Sequence, residues 1–157
     1  MLKQLQSDRH IIRKRASTCL GALAVVCSDV LFDKLVETLL ELIESRRSDL
    51  VSLIQTVGTI SRTVGYRMGR FLERLVPLFI GFCGRADNED EDEDEKINEL
   101  REYSFPGLES FVVYCPNEIA PKYDELLNLA TSFMCYDPNY QYDDDDSDAE
   151  MEVGAGL

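Results

Sequence analysis

Arg67, Arg70 and Arg74 stand at i, i+3 and i+7, a spacing that sets three guanidinium groups along one face of a helix. Guanidinium stays charged at any accessible pH and offers a planar fork of donors, so such a row suits recognition of carboxylates on a partner surface. The competing reading is a solvated face neutralised by Glu73 and nearby acids. Ser147 has the acidic flank Asp148-Ala149-Glu150, which acid-directed kinases favour, and is the candidate phosphosite. The Asp143–Asp146 run lacks the Gly and the spaced Glu of an EF-hand loop, so only weak, nonspecific cation binding is expected of it.

Five cysteines, Cys19, Cys27, Cys83, Cys115 and Cys135, are widely separated, show no C-x-x-C spacing, and are joined by a single histidine, His10. Metal and redox sites need closer spacing, and each thiol falls within an apolar helical stretch, so all five read as buried structural thiols. There is no Ser/His/Asp, Cys/His or phosphate-loop arrangement. No catalytic, cofactor or metal residue is assigned, and a non-enzymatic protein is expected.

The formal charge of −14 is concentrated in two places. Asp87–Glu95 holds eight carboxylates and Asp137–Glu152 another eight, leaving 14 acids against 16 Lys and Arg in the rest. The body is therefore near neutral, and a binding surface is expected there rather than on the acidic runs, which read as disordered because like charges repel and nothing apolar compensates for ordering them. With a pI near 4.4, nucleic acid is not an expected partner. The opening Met1–Gln6 is too polar for a signal peptide and no apolar stretch approaches the ~20 residues of a membrane span, so a soluble, intracellular chain is expected, with neither a membrane nor a small-molecule substrate as partner.

Apolar residues recur at helical spacing through six segments, without sustained strand alternation, which predicts an all-α chain. The first covers Arg9–Cys27, with Ile12, Ala16, Cys19, Leu20, Leu23 and Cys27 on one face. Asp29 can cap a second over 29–45, and Ser48 a third that ends before Gly65. The fourth covers Met68–Cys83. The fifth is expected only after the first acidic run, over Ile97–Cys115, with a bend or break near Phe105 where Pro106-Gly107 intervenes. Pro116 opens a sixth that reaches Tyr136. The segments divide the chain into a helical unit at 1–136, interrupted by an acidic insertion at 86–96, and an acidic tail at 137–157.

Leu35-Val36 through Ile43 is similar to Leu75-Val76-Pro77-Leu78-Phe79-Ile80 about 40 residues later, and Ile12-Arg13-Lys14-Arg15-Ala16 compares with Leu100-Arg101-Glu102-Tyr103-Ser104. A period near 40 resembles HEAT repeats, armadillo-like α-solenoids of antiparallel helix pairs. By that resemblance Asp29–Ser45, Tyr66–Gly84 and Pro116–Tyr136 are first helices, and Arg9–Cys27, Ser48–Val64 and Ile97–Cys115 second helices. Arg13 would serve the solenoid's ladder, while Val51 stands where the third helix should carry its arginine. Both acidic runs then leave the same edge of the solenoid. A chain opening on a second helix and closing on a first is expected to be a fragment.

Three stretches carry a closer resemblance: Arg9-His10-Ile11-Ile12-Arg13-Lys14-Arg15; Gly65-Tyr66-Arg67-Met68-Gly69; and Leu100-Arg101-Glu102-Tyr103 with Leu108-Glu109-Ser110-Phe111, continuing through Cys115-Pro116 to Tyr136-Asp137-Pro138-Asn139-Tyr140. Up to about Asp146 they resemble the N-terminal third of the cullin-associated neddylation-dissociated proteins. The resemblance implies a non-enzymatic clamp of the cytoplasm and nucleus, acting in the ubiquitin-like conjugation pathway. Such a clamp binds the cullin and RING subunits of unneddylated cullin–RING (SCF-type) ubiquitin ligases and exchanges their substrate receptors. Exchange by this polypeptide alone is not expected. An importin-like HEAT-repeat nuclear transport receptor, which binds a small GTPase and basic cargo, is the alternative.

Overall fold

A computed structural model describes residues 2–45, 49–84 and 91–134, with side chains described from residue 95 in the last of these. Every regular element among them is helical. A 3-10 turn at Leu2–Gln6 precedes α1 (His10–Val26), α2 (Asp29–Ser45) and α3 (Leu50–Val64). A second 3-10 turn, Gly65–Phe71, leads into α4 (Leu72–Cys83), then come α5 (Glu91–Tyr114), the short α6 (Pro116–Ile119), a 3-10 turn at Ala120–Lys122, and α7 (Tyr123–Met134).

The helices lie in the two rows of a HEAT-type solenoid. In the second-helix row, α3 packs between α1 and α5; in the first-helix row, α2, α4 and α7 follow one another, with α2 paired to α3 and α4 to α5. The anticipated assignment of first and second helices therefore holds for these residues. Between the rows lies a continuous apolar core that includes Phe32, Leu39, Ile43, Ile54, Ile60, Leu75, Phe79 and Phe111. Edge-to-face ring pairs run through it: Phe32–Phe71 at 6.0 Å and Phe105–Phe133 at 5.1 Å join successive layers, and Phe79–Phe111 at 5.3 Å joins α4 to α5 within one layer.

Within the second-helix row the contact is made by small residues. Ser17 and Thr59 bring their hydroxyls to 3.5 Å, and Ser110 Oγ lies 2.7 Å from both Ser61 Oγ and the Gly107 carbonyl. A methyl added at Gly21 would come within 3.0 Å of Thr59 in the neighbouring α3, while one at Gly107 would point between the rows and come within 2.3 Å of the Phe79 ring of α4. The helices approach closely because these positions lack larger side chains. Arg13 completes the seam at its open end: Nε donates to Ser52 Oγ at 3.0 Å and lies 3.0 Å from Asp49 Oδ2, and Nη1 donates to the Ser7 carbonyl at 2.8 Å. It bridges adjacent layers, as a ladder residue should.

Several local expectations are corrected. α5 starts at Glu91, inside the acidic run rather than after it. The same helix is not broken at Phe105, since Pro106 lies inside it. Gly107 lets α5 press against Phe79 on one side and Gly58 on the other, and that packing holds the helix through the hydrogen bond that proline forfeits. The sixth segment is not one helix: Pro121, without an N–H, falls in the 3-10 turn separating α6 from α7. Asp29 is the first helical residue of α2 rather than its cap. Gly65 does end α3, at φ 59°, a backbone conformation that a side chain would strain. Ser48 and Cys135 lie outside the described residues, as does the 137–157 tail.

Thiol burial is also uneven. Cys83 and Cys115 are buried, Cys27 is half-buried, and Cys19 is exposed. α1 is apolar on more than one face, so its sequence does not single out one buried stripe, and Ala16, Ser17, Leu20, Gly21 and Ala24 form the packed side. Burial pushes the Cys83 thiol up to about 12, against the opposing influence of Arg101 and Ser104; burial, with Glu118 nearby, raises Cys115 as well.

Candidate protein-binding site

The three arginines share one line as their spacing requires, although they start in the 3-10 turn and end in α4. What they face is α2. Arg67 lies 3.0 Å from Asp29, Arg70 pairs with Asp33, and Arg74 meets Glu37 at 2.6 Å and Glu44 at 2.9 Å. The acids sit one or two turns apart on α2, so the two helices close with a ladder of ion pairs between successive layers. Hydrogen bonding to Glu37, then to Glu44, raises the Arg74 pKa further above its ordinary value. The neutralising groups are those of α2 rather than Glu73.

Arg67 does more than pair. Its side chain is only 16% exposed, stacks over the Phe32 ring at 4.2 Å, and donates to the carbonyls of Ala24 at 2.7 Å and Cys27 at 3.2 Å. Those carbonyls belong to the C-terminal end of α1, where the helix leaves acceptors unsatisfied and its dipole favours a cation. Arg101 repeats the device, donating to the Cys83 carbonyl that ends α4 at 3.2 Å and lying 5.2 Å from the Phe133 ring. Arg70 and Arg74 remain about half exposed, so a partner acid reaching them must share donors with α2.

A different surface offers unshared groups. Between α3 and α5 an open groove is lined by Arg62, Pro106, Glu109, Ser110, Val113 and Tyr114. Gly65 borders it, since a methyl added there would touch the Tyr114 ring at 3.5 Å, and the adjoining Tyr66 is 79% exposed. Arg62 makes no ion pair among the described residues. Exposed tyrosines beside an arginine and a small apolar patch are the composition that protein interfaces favour at their energetic centres. The sequence did contain a signal for this groove: Val113 and Tyr114 fall off the Leu108, Phe111, Cys115 stripe, and apolar residues off the buried stripe must be surface. Ser147 lies outside the described residues. Among those described, no group of three or more His, Cys, Asp or Glu could hold a metal ion, and no helix is long and apolar enough to cross a membrane.

No protein-family model matches the chain. It is 38% identical over 156 residues to cullin-associated NEDD8-dissociated protein 1 of Arabidopsis thaliana, covering 98% of this chain and 12% of that protein. It is 37% identical over 151 residues to cullin-associated NEDD8-dissociated protein 2 of Mus musculus, covering 93% and 11%. Protein 1 of Dictyostelium discoideum is 33% identical over 145 residues, covering 91% and 11%. The chain thus spans about an eighth of the length of the relatives it matches.

Proposed function

Because the chain belongs, over the segment it shares with them, to the cullin-associated NEDD8-dissociated protein family, we propose that it is a non-enzymatic HEAT-repeat module that binds the scaffold of cullin–RING ubiquitin ligases. The observation that carries this reading is similarity along nearly the entire chain to proteins whose names state cullin association. Two rows of helices stacked through the core give a rigid, extended surface, which is what a protein that recognises another protein by area and shape requires. The relatives do not favour the transport-receptor reading.

In this proposal the scaffold's unneddylated form is the ligand, and cullin and RING subunit are both within reach of the assembled solenoid, in the cytoplasm and the nucleus. Receptor exchange follows from linkage: a module that weakens the hold of a substrate receptor on the cullin is itself weakened by that receptor to the same degree. The groove of Arg62, Val113 and Tyr114, with Tyr66 beside it, is the contact we assign to the partner; Arg70 and Arg74 are a secondary contact at the cost of sharing donors with α2.

Titration of purified cullin–RING scaffold onto the immobilised 157-residue protein tests the reading. Expected are saturable binding to the unneddylated scaffold, affinity at least about tenfold lower for the neddylated one, and a loss of about tenfold or more for Tyr114→Ala or Tyr66→Ala. Equal affinity for both forms, or no binding by protein whose circular dichroism is helical and whose melting is cooperative, would refute it. Capture of a small GTPase and basic cargo instead would establish the transport alternative.

A further inference from the structure

α3 meets a neighbour on three sides. Thr59 faces α1 across from Ser17, Ser61 faces α5 across from Ser110, and Leu53, Val57 and Ile60 enter the core toward α2. Its fourth side, turned away from the first-helix row, carries Val51, Gln55 and Arg62 at helical spacing. The same side of α5 is the line Glu99, Glu102, Pro106, Glu109 and Val113, and that of α1 is the line Ile11, Arg15 and Thr18 with Lys14 beside it. This face lies across the helices rather than at either end of their row, and the groove at Arg62 and Val113 is part of it.

Charge is sorted along this face. Lys14 and Arg15 on α1 and Arg62 on α3 are cations, whereas Glu99, Glu102 and Glu109 on α5 are carboxylates; all six are exposed, and none makes an ion pair among the described residues. Their numbers are equal, so the face has a direction but no net charge. Contacts recur 42 residues apart from α1 to α3 and 49 apart from α3 to α5, so Lys14 and Glu102 stand at nearly one level of the row and Arg62 and Glu109 at another. With neighbouring helices about 8–10 Å apart, the cations of α1 lie about 16–20 Å from the carboxylates of α5. We propose that this face takes a segment of the cullin–RING scaffold laid across the three helices in one direction only, its acidic end over Lys14, Arg15 and Arg62 and its basic end over Glu99, Glu102 and Glu109. Charges matched across an interface fix its register and reject the reversed pose, in which like charges would meet. The inference rests on the groove being the scaffold contact, and adds the chemistry and the direction of what lies there.

Two double reversals in the 157-residue protein provide the test, read by titration with purified unneddylated cullin–RING scaffold: Lys14→Glu with Arg62→Glu at the cationic pole, and Glu102→Lys with Glu109→Lys at the acidic one. All four positions are exposed and outside ion pairs, so both variants keep the helical spectrum and melting of the parent. Each is expected to lower the affinity about tenfold or more, because each sets a like charge against the scaffold. Attraction governed by the overall charge of −14 would instead shift the two in opposite directions, since one variant adds negative charge and the other removes it. Glutamine at the same two pairs gives smaller losses of the same sign, a readout that stands even if a reversal disturbs folding. Shifts of opposite sign, or an unchanged affinity for either pair, would overturn the inference while the scaffold reading stood; a parent protein that binds no scaffold would refute that reading and the inference with it.

Discussion

Alanine at Gly107 sets two effects of known sign against each other. Replacing a helical glycine restricts the unfolded chain and raises helix propensity, which stabilises by up to about 1 kcal/mol. Here the new methyl would come within 2.3 Å of Phe79 Cε1 and 2.9 Å of Cδ1, whereas carbons in contact prefer about 3.5–4.0 Å. The two helices must therefore separate by about an ångström, or the ring must move. Phe79 is wholly buried and set edge-on to Phe111, so it has nowhere to go without opening that pair. Overpacking of this kind costs about 1–3 kcal/mol, and the net expectation for Gly107→Ala is a destabilisation of about 1–2 kcal/mol. Gly58 lies on the other side of α5, in α3, and its methyl would sit 3.7 Å from Gly107 Cα, an ordinary contact, while nothing lies within 4 Å of one at Gly81. The identical substitution there is expected to be neutral or stabilising by up to about 1 kcal/mol. Urea denaturation followed by circular dichroism orders the three variants. Phe79→Leu combined with Gly107→Ala should recover part of the loss, because the smaller side chain leaves room for the methyl and the two changes are coupled. Gly107→Ala matching Gly81→Ala in stability, or adding independently to Phe79→Leu, would refute the claim that this glycine sets the helix spacing.

Arg67→Ala removes a charged donor from two carbonyls at the end of α1 and uncovers Phe32, and is expected to cost about 1.5–3 kcal/mol; Arg74→Ala, at an exposed pair, should cost less, and its effect should shrink in high salt. Cys19 should react readily with a thiol reagent in the native protein, with Cys83 and Cys115 protected until unfolding, as peptide mapping of the labelled protein would show. Cys83 also makes stability fall in alkali. Its folded pKa, about 12, exceeds the ordinary 9.0, so its contribution is intact below pH 9 and declines as pH rises toward 12. The stability difference between wild type and Cys83→Ala should narrow by about 1.4 kcal/mol per pH unit in that window, and a pH-independent difference would contradict it.

The repeat phase was legible because it rests on apolar spacing within each helix. Arg13 could likewise be placed, since the pattern of an apolar residue followed by arginine marks the start of a second helix. The role of Arg67 could not be read this way: the carbonyls it caps lie 40 and 43 residues away, and helical spacing locates a residue on its own helix without saying what the neighbouring helix brings against it. The row of three arginines was visible for the same reason that its acidic partners on α2 were not. Pro106 was misread because proline's cost is local and known, whereas the close approach allowed by Gly107 depends on Phe79, far off in the chain. The groove at Tyr114 needed two helices placed side by side before its walls existed.

The glycines, serines and threonines between α1, α3 and α5 fix the angle at which one layer of helices meets the next. In relatives about eight times as long as this chain, such angles compound: every layer beyond a joint inherits the tilt set there. A single methyl at Gly21, which would press on Thr59 and Thr63 of the next layer, would thus act through leverage, swinging distant parts of the superhelix while leaving the surface chemistry of either side untouched. Reach and curvature in a protein of this build are encoded as much by the side chains withheld from the joints as by those displayed on the faces.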